Sequence, residues 1–229
     1  MIPVKGIVVC VDYDDYLAIT LPRNARHLTN VLVVTSPEDV RTQAVVKSVP
    51  SARCFVTDAF TRGGKRFNKG AAMEEGFDAL GRDGWTLIHD ADTLLPDAVP
   101  FDDLDPAVIY GAPRRLCDVQ SVPHESSWKQ FPISRETGLP GYFQLFHGSA
   151  VRNVRPWYDV TSNHAGIGDA RFHGHWPTDR KEWLPMEVLH LGPRDVNWFG
   201  RASARLDGLP TKLTPTDAES LFRSSGWKR

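Results

Sequence analysis

The chain has 229 residues, 41% of them hydrophobic and 24% charged, with a formal net charge of -1. That is enough chain for one large domain with a buried core, and the balanced charge excludes a molecule that binds polyanions over its whole surface. Cys10, Cys54 and Cys117 have neither metal nor redox spacing, and no apolar stretch is long enough for a signal peptide or a membrane span, which predicts a cytoplasmic protein with reduced thiols.

Four β-branched, continuously apolar runs come first: KGIVVCV (5–11), NVLVVTS (30–36), ARCFVTD (52–58) and WTLIHD (85–90). Such runs predict strands covered on both faces. Between the second and third, PEDVRTQAVVKSV predicts a helix with Ser36 as its N-cap and Pro37 in its first turn. Between the third and fourth, Phe67, Ala71, Met73, Phe77 and Leu80 fall on one helical face, and Gly81 and Gly84 end it. This alternation predicts a parallel sheet with right-handed crossovers, whose ligands bind beyond the carboxyl ends of the strands. Asp12, Ser36, Asp90 and Asp92 stand at such ends.

The second half is less regular. PAVIYGAP (106–113) and GYFQLFHGS (141–149) predict strands, and 117–140 predicts a long loop. NHAGIGDARFHGHW (163–176) predicts a turn entering a short helix, and EWLPMEVLHLGP (182–193) a strand ending near His190. From Arg194 onward the chain is locally basic, with Arg194, Arg201, Arg205, Lys212, Arg223, Lys228 and Arg229 against Asp195, Asp207, Asp217 and Glu219.

Asp90-Ala91-Asp92 closes a buried strand with two like charges. Acidic turns of this kind are common, but hard oxygen ligands at the mouth of a parallel sheet also suit Mg²⁺ or Mn²⁺ holding a diphosphate. Arg66 and Lys69 lie at a helix N-terminus, where anions are favoured, although solvated basic residues are the ordinary occupants. Asp169 follows Gly166 and Gly168, as a helix cap or as a carboxylate carried by a tight turn. His164, His173 and His175 lack the spacing of a zinc site. His190, flanked by apolar residues, is a ligand only if the fold brings it to Asp92, where an imidazole would favour Mn²⁺. The aromatics after Trp128 are core candidates, with a stacking platform for a sugar or base as the alternative.

In their order, FNKGAAMEEGF, LIHDADTLLP, G-x-G-D and VLHLG resemble the GT-A-fold glycosyltransferases, of the family-2-like kind with a galactosyltransferase-type carboxyl-terminal module. The resemblance covers about residues 5–193. It implies a Rossmann-like α/β/α sandwich with a mostly parallel sheet over residues 1–193, a nucleotide-sugar-binding half (1–112), an acceptor half (113–193) and a basic extension (194–229). It further implies a metal-binding DXD motif at Asp90 and Asp92, completed by His190, with Asp169 as catalytic base. Asp12, Ser36, Arg66, Lys69 and Asp90 would contact the nucleotide sugar. The chain departs from the pattern at Asp12-Tyr13-Asp14, at Thr35-Ser36-Pro37-Glu38-Asp39, and at Gly168-Asp169, where many relatives have Glu-Asp. The expected activity is Mn²⁺- or Mg²⁺-dependent inverting transfer from a nucleotide sugar, UDP-sugar favoured. The acceptor would be soluble: a glycan, or a hydroxymethylated DNA base in host cytoplasm if the protein is phage-encoded. The rivals are a metal-dependent nucleotidyltransferase and a non-catalytic sugar- or nucleic-acid-binding module.

Overall fold

A computed structural model describes residues 2–117, 122–134, 138–166, 168–193, 197 and 199–224; Ile167, Arg194, Asp195, Trp198, Lys228 and Arg229 lie outside them. In chain order the first half contains β1 (Val4–Val9), α1 (Asp14–Asn24), β2 (Asn30–Thr35), α2 (Val40–Lys47), β3 (Ala52–Val56), α3 (Lys69–Leu80) and β4 (Trp85–His89). The second half adds β5 (Thr93–Leu94), β6 (Ile109–Gly111), β7 (Arg114–Cys117), β8 (Ile133–Ser134), β9 (Phe143–His147), α4 (Gly168–His173), β10 (Lys181–Trp183), β11 (Val188–Leu191) and α5 (Pro215–Ser224).

Seven strands form the central sheet in the order β10-β6-β9-β4-β1-β2-β3. All neighbours are parallel except β9, which runs antiparallel to β4 and β6. A second sheet, β5-β11-β7-β8, joins the short strand after β4 to three strands later in the chain.

The period of two in the strands divides the core between two faces. Val4 and Val8 of β1 and Val31 and Val33 of β2 pack with Leu17 and Leu21 of α1 and Val46 of α2. Ile7, Leu32 and Val34 face the other way, onto Met73 and Phe77 of α3 and Phe172 of α4. The result is the three-layer sandwich expected. Burying each such aliphatic or aromatic side chain contributes about 1.5–3 kcal/mol. Gly81, at φ 83°, closes α3 where a side chain would be strained.

Several local expectations are corrected. Ser36 does not cap α2; Asp39 does, its carboxylate accepting from the Thr42 amide, and the helix starts at Val40. Ser36 is buried, with its carbonyl bonded to the Asp39 amide and the Gln43 side chain. β3 is a sheet edge rather than a doubly covered strand, and Arg53, Cys54 and Val56 are exposed. Residues 182–193 hold parts of two strands in different sheets, β10 and β11. The stretch 117–140 contains a 3-10 helix (Glu125–Gln130) and β8. Helix α1 has no counterpart in the sequence reading, because VDYDDYLAITLPRN carries Pro22 and a weak apolar stripe. Among the described residues no helix is long and apolar enough to cross a membrane.

Candidate active site

A cavity of about 230 Å³ opens at the carboxyl ends of β1 and β4. Its polar lining is Lys69, Asp90, Asp92, Arg114, Asp169, His190, Asn197 and Arg201. Lys69, Asp90, Asp92, Asp169 and His190 are therefore brought together from four separate parts of the chain. Asp12, Ser36 and Arg66 are not on that wall. Arg66 is exposed, its amide bonded to Asn163. Asp12, at φ 61°, offers its carbonyl to Arg201 and Arg205, and its carboxylate pairs with Lys212 at 3.0 Å.

The turn after β4 is clamped from below by the helix that the sequence hid. Thr20 of α1 donates to the Ala91 carbonyl at 2.6 Å. Asn24 donates to the Thr93 carbonyl and accepts from the Leu95 amide, at 2.8 and 2.9 Å. The short β5 then pairs with β11, setting His190 opposite Thr93, and the Leu191 amide donates to the Asp92 carbonyl at 2.8 Å. This pairing carries His190 to Asp92 across almost a hundred residues. His190 Nε2 lies 3.7 Å from Asp92 Oδ1. His190 is the penultimate residue of β11, which ends near it as expected.

Lys69 is the first residue of α3. The Asn68 side chain caps that helix through the Ala71 amide and donates to the Val160 carbonyl. At Gly70 a Cβ would stand 1.9 Å from the Asp159 carbonyl oxygen, so the helix start docks against this loop only with glycine there. The Lys69 ammonium lies 3.3 Å from Asp90 Oδ1 and 3.2 Å from Asp169 Oδ1. Burial alone would lower its pKa; Asp169 and Asp90 outweigh that and raise it, so it stays charged. Burial alone would raise the Asp90 carboxyl, but Lys69 and then His190 hold it below the usual carboxylate range. Asp92 goes the other way. Burial, reinforced by the charge on Asp90, raises its pKa, with His190 opposing.

Asp92 Oδ1 is buried and has no hydrogen-bond partner, and neither has His190 Nδ1. An orphaned carboxylate oxygen beside an imidazole nitrogen is a donor pair that fits Mn²⁺ or Mg²⁺. Among the described residues no group of three ligating side chains is already gathered around one point. A divalent ion held by this pair would need further oxygen ligands.

Asp169 lies in the first turn of α4. At Gly141 a Cβ would fall 2.0 Å from the Asp169 carboxyl carbon, so glycine is what admits this carboxylate to the cavity wall. The three histidines near it do not assemble a metal site. His175 bonds the Trp157 carbonyl, His173 faces Lys181, and His164 accepts from the Gly166 amide. Of the aromatics that follow Trp128, most are core; Tyr142 alone among those described lines the cavity, with Arg114 lying 4.4 Å over its ring. Trp183 is exposed.

Sequence reasoning missed Tyr13, Arg114 and Arg201 in this wall. Arg201 is buried, bonds Asp15 with both terminal nitrogens, and lies over the rings of Tyr13 and Tyr16 at 4.7 and 5.0 Å. Arg205 does the same for Asp14, at 2.8 Å for each bond. The segment read as a basic extension thus supplies one wall of the cavity. No periodicity or motif in the sequence marked it, because the acids that pair with these arginines lie at the start of α1.

No protein-family model matches the chain, and no curated protein matches it in sequence. Solved structures share its fold. The inositol-1-phosphate CTP transferase from T. maritima aligns with a TM-score of 0.51 at 8% identity, over 84% of this chain and 91% of that one. An active-site mutant of the galactosyltransferase LgtC aligns with a TM-score of 0.50 at 13% identity, over 97% of this chain and 95% of that one. At such identity the likeness concerns architecture alone, and the two names belong to different chemistries. The chain has the GT-A fold, a Rossmann-like α/β/α sandwich with a mostly parallel sheet and a cavity at the carboxyl ends of its strands.

Proposed function

We propose that the protein is a divalent-metal-dependent glycosyltransferase that moves a sugar from a nucleoside-diphosphate sugar to an acceptor hydroxyl with inversion. The observation that carries this is the cavity's division of labour. Asp92, with its orphaned oxygen, and His190 stand at one side, and Asp169 stands across Lys69 at the other. A divalent ion held by Asp92 and His190, with Asp90 beside it toward the ribose, would supply positive charge to the departing diphosphate.

The residues of the chain do the rest. Lys69 ties Asp90 to Asp169 and so fixes the base relative to the donor, while keeping a cation in the cavity where charge develops. Asp169 accepts the proton of the acceptor hydroxyl as its oxygen forms a bond to the anomeric carbon. The bond from that carbon to the diphosphate oxygen breaks, its electron pair leaving with the nucleoside diphosphate. Attack opposite the leaving group inverts the centre. UDP is the favoured nucleotide, and the acceptor is a soluble glycan or a hydroxymethylated DNA base.

Nucleotidyl transfer is the second reading, favoured by the shared fold of the CTP transferase. It calls for a glycine-rich basic loop after the first strand. Here that turn is Asp12-Tyr13-Asp14, held by Arg201 and Arg205. Thermal unfolding with UDP or GDP, with and without Mn²⁺, separates the two. Mn²⁺-dependent stabilisation by a diphosphate supports glycosyl transfer, and stabilisation by triphosphates only supports the rival. No stabilisation by either would leave a non-catalytic module.

A further inference from the structure

Tyr158 is fully buried and touches no solvent, yet its hydroxyl meets the cavity's working carboxylate. It donates to Asp169 Oδ1 at 2.6 Å, the shortest contact that oxygen makes, against 3.2 Å for Lys69. Burial, and then the charge of Asp169, raises the phenol well above its ordinary pKa, so it stays protonated and remains a donor.

The surroundings are built around that bond. The Tyr158 ring lies 4.9 Å from the Phe172 ring and nearly parallel to it, and Phe172 belongs to the same short helix as Asp169. Gln144 of β9 donates through Nε2 to the Asp169 carbonyl at 3.2 Å and to the Leu139 carbonyl at 2.6 Å. A Cβ at Gly168 would crowd the Tyr158 ring at 3.1 Å, and one at Gly141 would strike the carboxyl group itself. The glycines make room for the Asp169 carboxylate and the Tyr158 ring, and the phenol and the Gln144 amide bond the Asp169 side chain and backbone. Oδ1 is turned to Tyr158 and Lys69, while among the described residues Oδ2 has only the long contact to Lys69 at 3.4 Å.

We propose that Tyr158 is the positioning residue of this site: it fixes Asp169 through Oδ1 and leaves Oδ2 as the oxygen that takes the acceptor proton. The assignment rests on Asp169 being the base. The other charged groups near Asp169 are Lys69 of α3, with Asp90 behind it, and His173 of α4, with Lys181 of β10 behind that. None of these is altered by a change at Tyr158.

The test is Tyr158→Phe, which keeps the ring and removes the donor. A second variant carries 3-fluorotyrosine at position 158 alone, which keeps the hydroxyl and makes it a stronger donor. The Asp169 carboxyl is followed by its ¹³C NMR signal, with Asp169→Asn to assign it. That signal should move in Tyr158→Phe, where the donor to Oδ1 is gone. With a nucleotide-sugar donor, kcat of Tyr158→Phe should fall about 10–100-fold while KM for the donor holds, and the fluorotyrosine variant should keep most of the parent's kcat. An Asp169 signal that is the same in Tyr158→Phe as in the parent overturns the proposal. So does an unchanged kcat in Tyr158→Phe alongside an inactive Asp169→Asn. If the signal moves as stated but the parent turns over no donor, the glycosyl-transfer reading falls while the orienting of Asp169 by Tyr158 stands.

Discussion

Two acidic pairs stand at the carboxyl ends of neighbouring strands, and they have opposite fates. Asp14 and Asp15, after β1, open α1, where the helix dipole favours them. Every carboxylate oxygen of that pair accepts from Arg201 or Arg205. Asp90 and Asp92, after β4, are served by one lysine and one histidine, and Asp92 Oδ1 is left without a bond. His89 Nε2 and His190 Nδ1 are likewise buried without a hydrogen-bond partner. Repulsion between like charges is neutralised inside the protein at the first pair and held in reserve at the second. The first pair is fully satisfied within the fold, and the second keeps one buried carboxylate oxygen unsatisfied.

The sharpest way to break this contrast is to remove the acids of the cavity. Asp169→Asn should lower transfer by about 10²–10⁴-fold, with nucleotide and metal binding intact. Equal rates in variant and parent, or a product that retains the donor's anomeric configuration, would put the base elsewhere. Asp92→Ala should cost about 10²–10³-fold in turnover and remove the Mn²⁺-dependent response to nucleoside diphosphate. Its melting temperature without ligand should hold or rise, because a buried carboxylate oxygen without a hydrogen bond has gone.

At the other pair the sign reverses. Asp15→Ala strands the buried guanidinium of Arg201 and should cost about 3–5 kcal/mol in urea unfolding. An unchanged midpoint would mean that the tail is not anchored there.

Acid should act on the β4 end. Burial lowers the His89 pKa to about 4 from an ordinary 6.5. The unfolded chain therefore takes up the proton first. Stability from this group is fully present above pH 6.5 and is lost as pH falls toward 4, by on the order of 3 kcal/mol. His89→Gln should flatten that part of the stability-against-pH curve, measured by denaturant unfolding at several pH values.

The smallest effect sharpens the account of the orphaned oxygen. Mn²⁺ alone should shift the melting temperature little, since no three-donor cluster is gathered among the described residues. Mn²⁺ with UDP at a hundredfold excess over its dissociation constant should stabilise by about 2.7 kcal/mol. A full shift with Mn²⁺ alone would mean that the protein completes the coordination by itself.

The sequence by itself determined the elements whose signal is local. Continuous β-branched runs marked β1, β2 and β4, because a strand buried on both faces has no polar side to show. The 3.6-residue spacing and Gly81 marked α3, and the order of motifs pointed to Lys69, Asp90, Asp92, Asp169 and His190, which share the cavity. Tertiary structure decided the rest, because the deciding partners are distant in sequence and carry no periodic signature. α1 hides behind a proline and a weak apolar stripe, yet its Thr20 and Asn24 hold the turn that presents Asp90 and Asp92. Asp12, Ser36 and Arg66 are expected nucleotide contacts by their places in the chain, and the fold sets them outside the cavity lining. Arg201 and Arg205 looked like a solvated basic tail. They are buried because two carboxylates at the start of α1 replace the water they give up, and only the folded chain brings those four charges together.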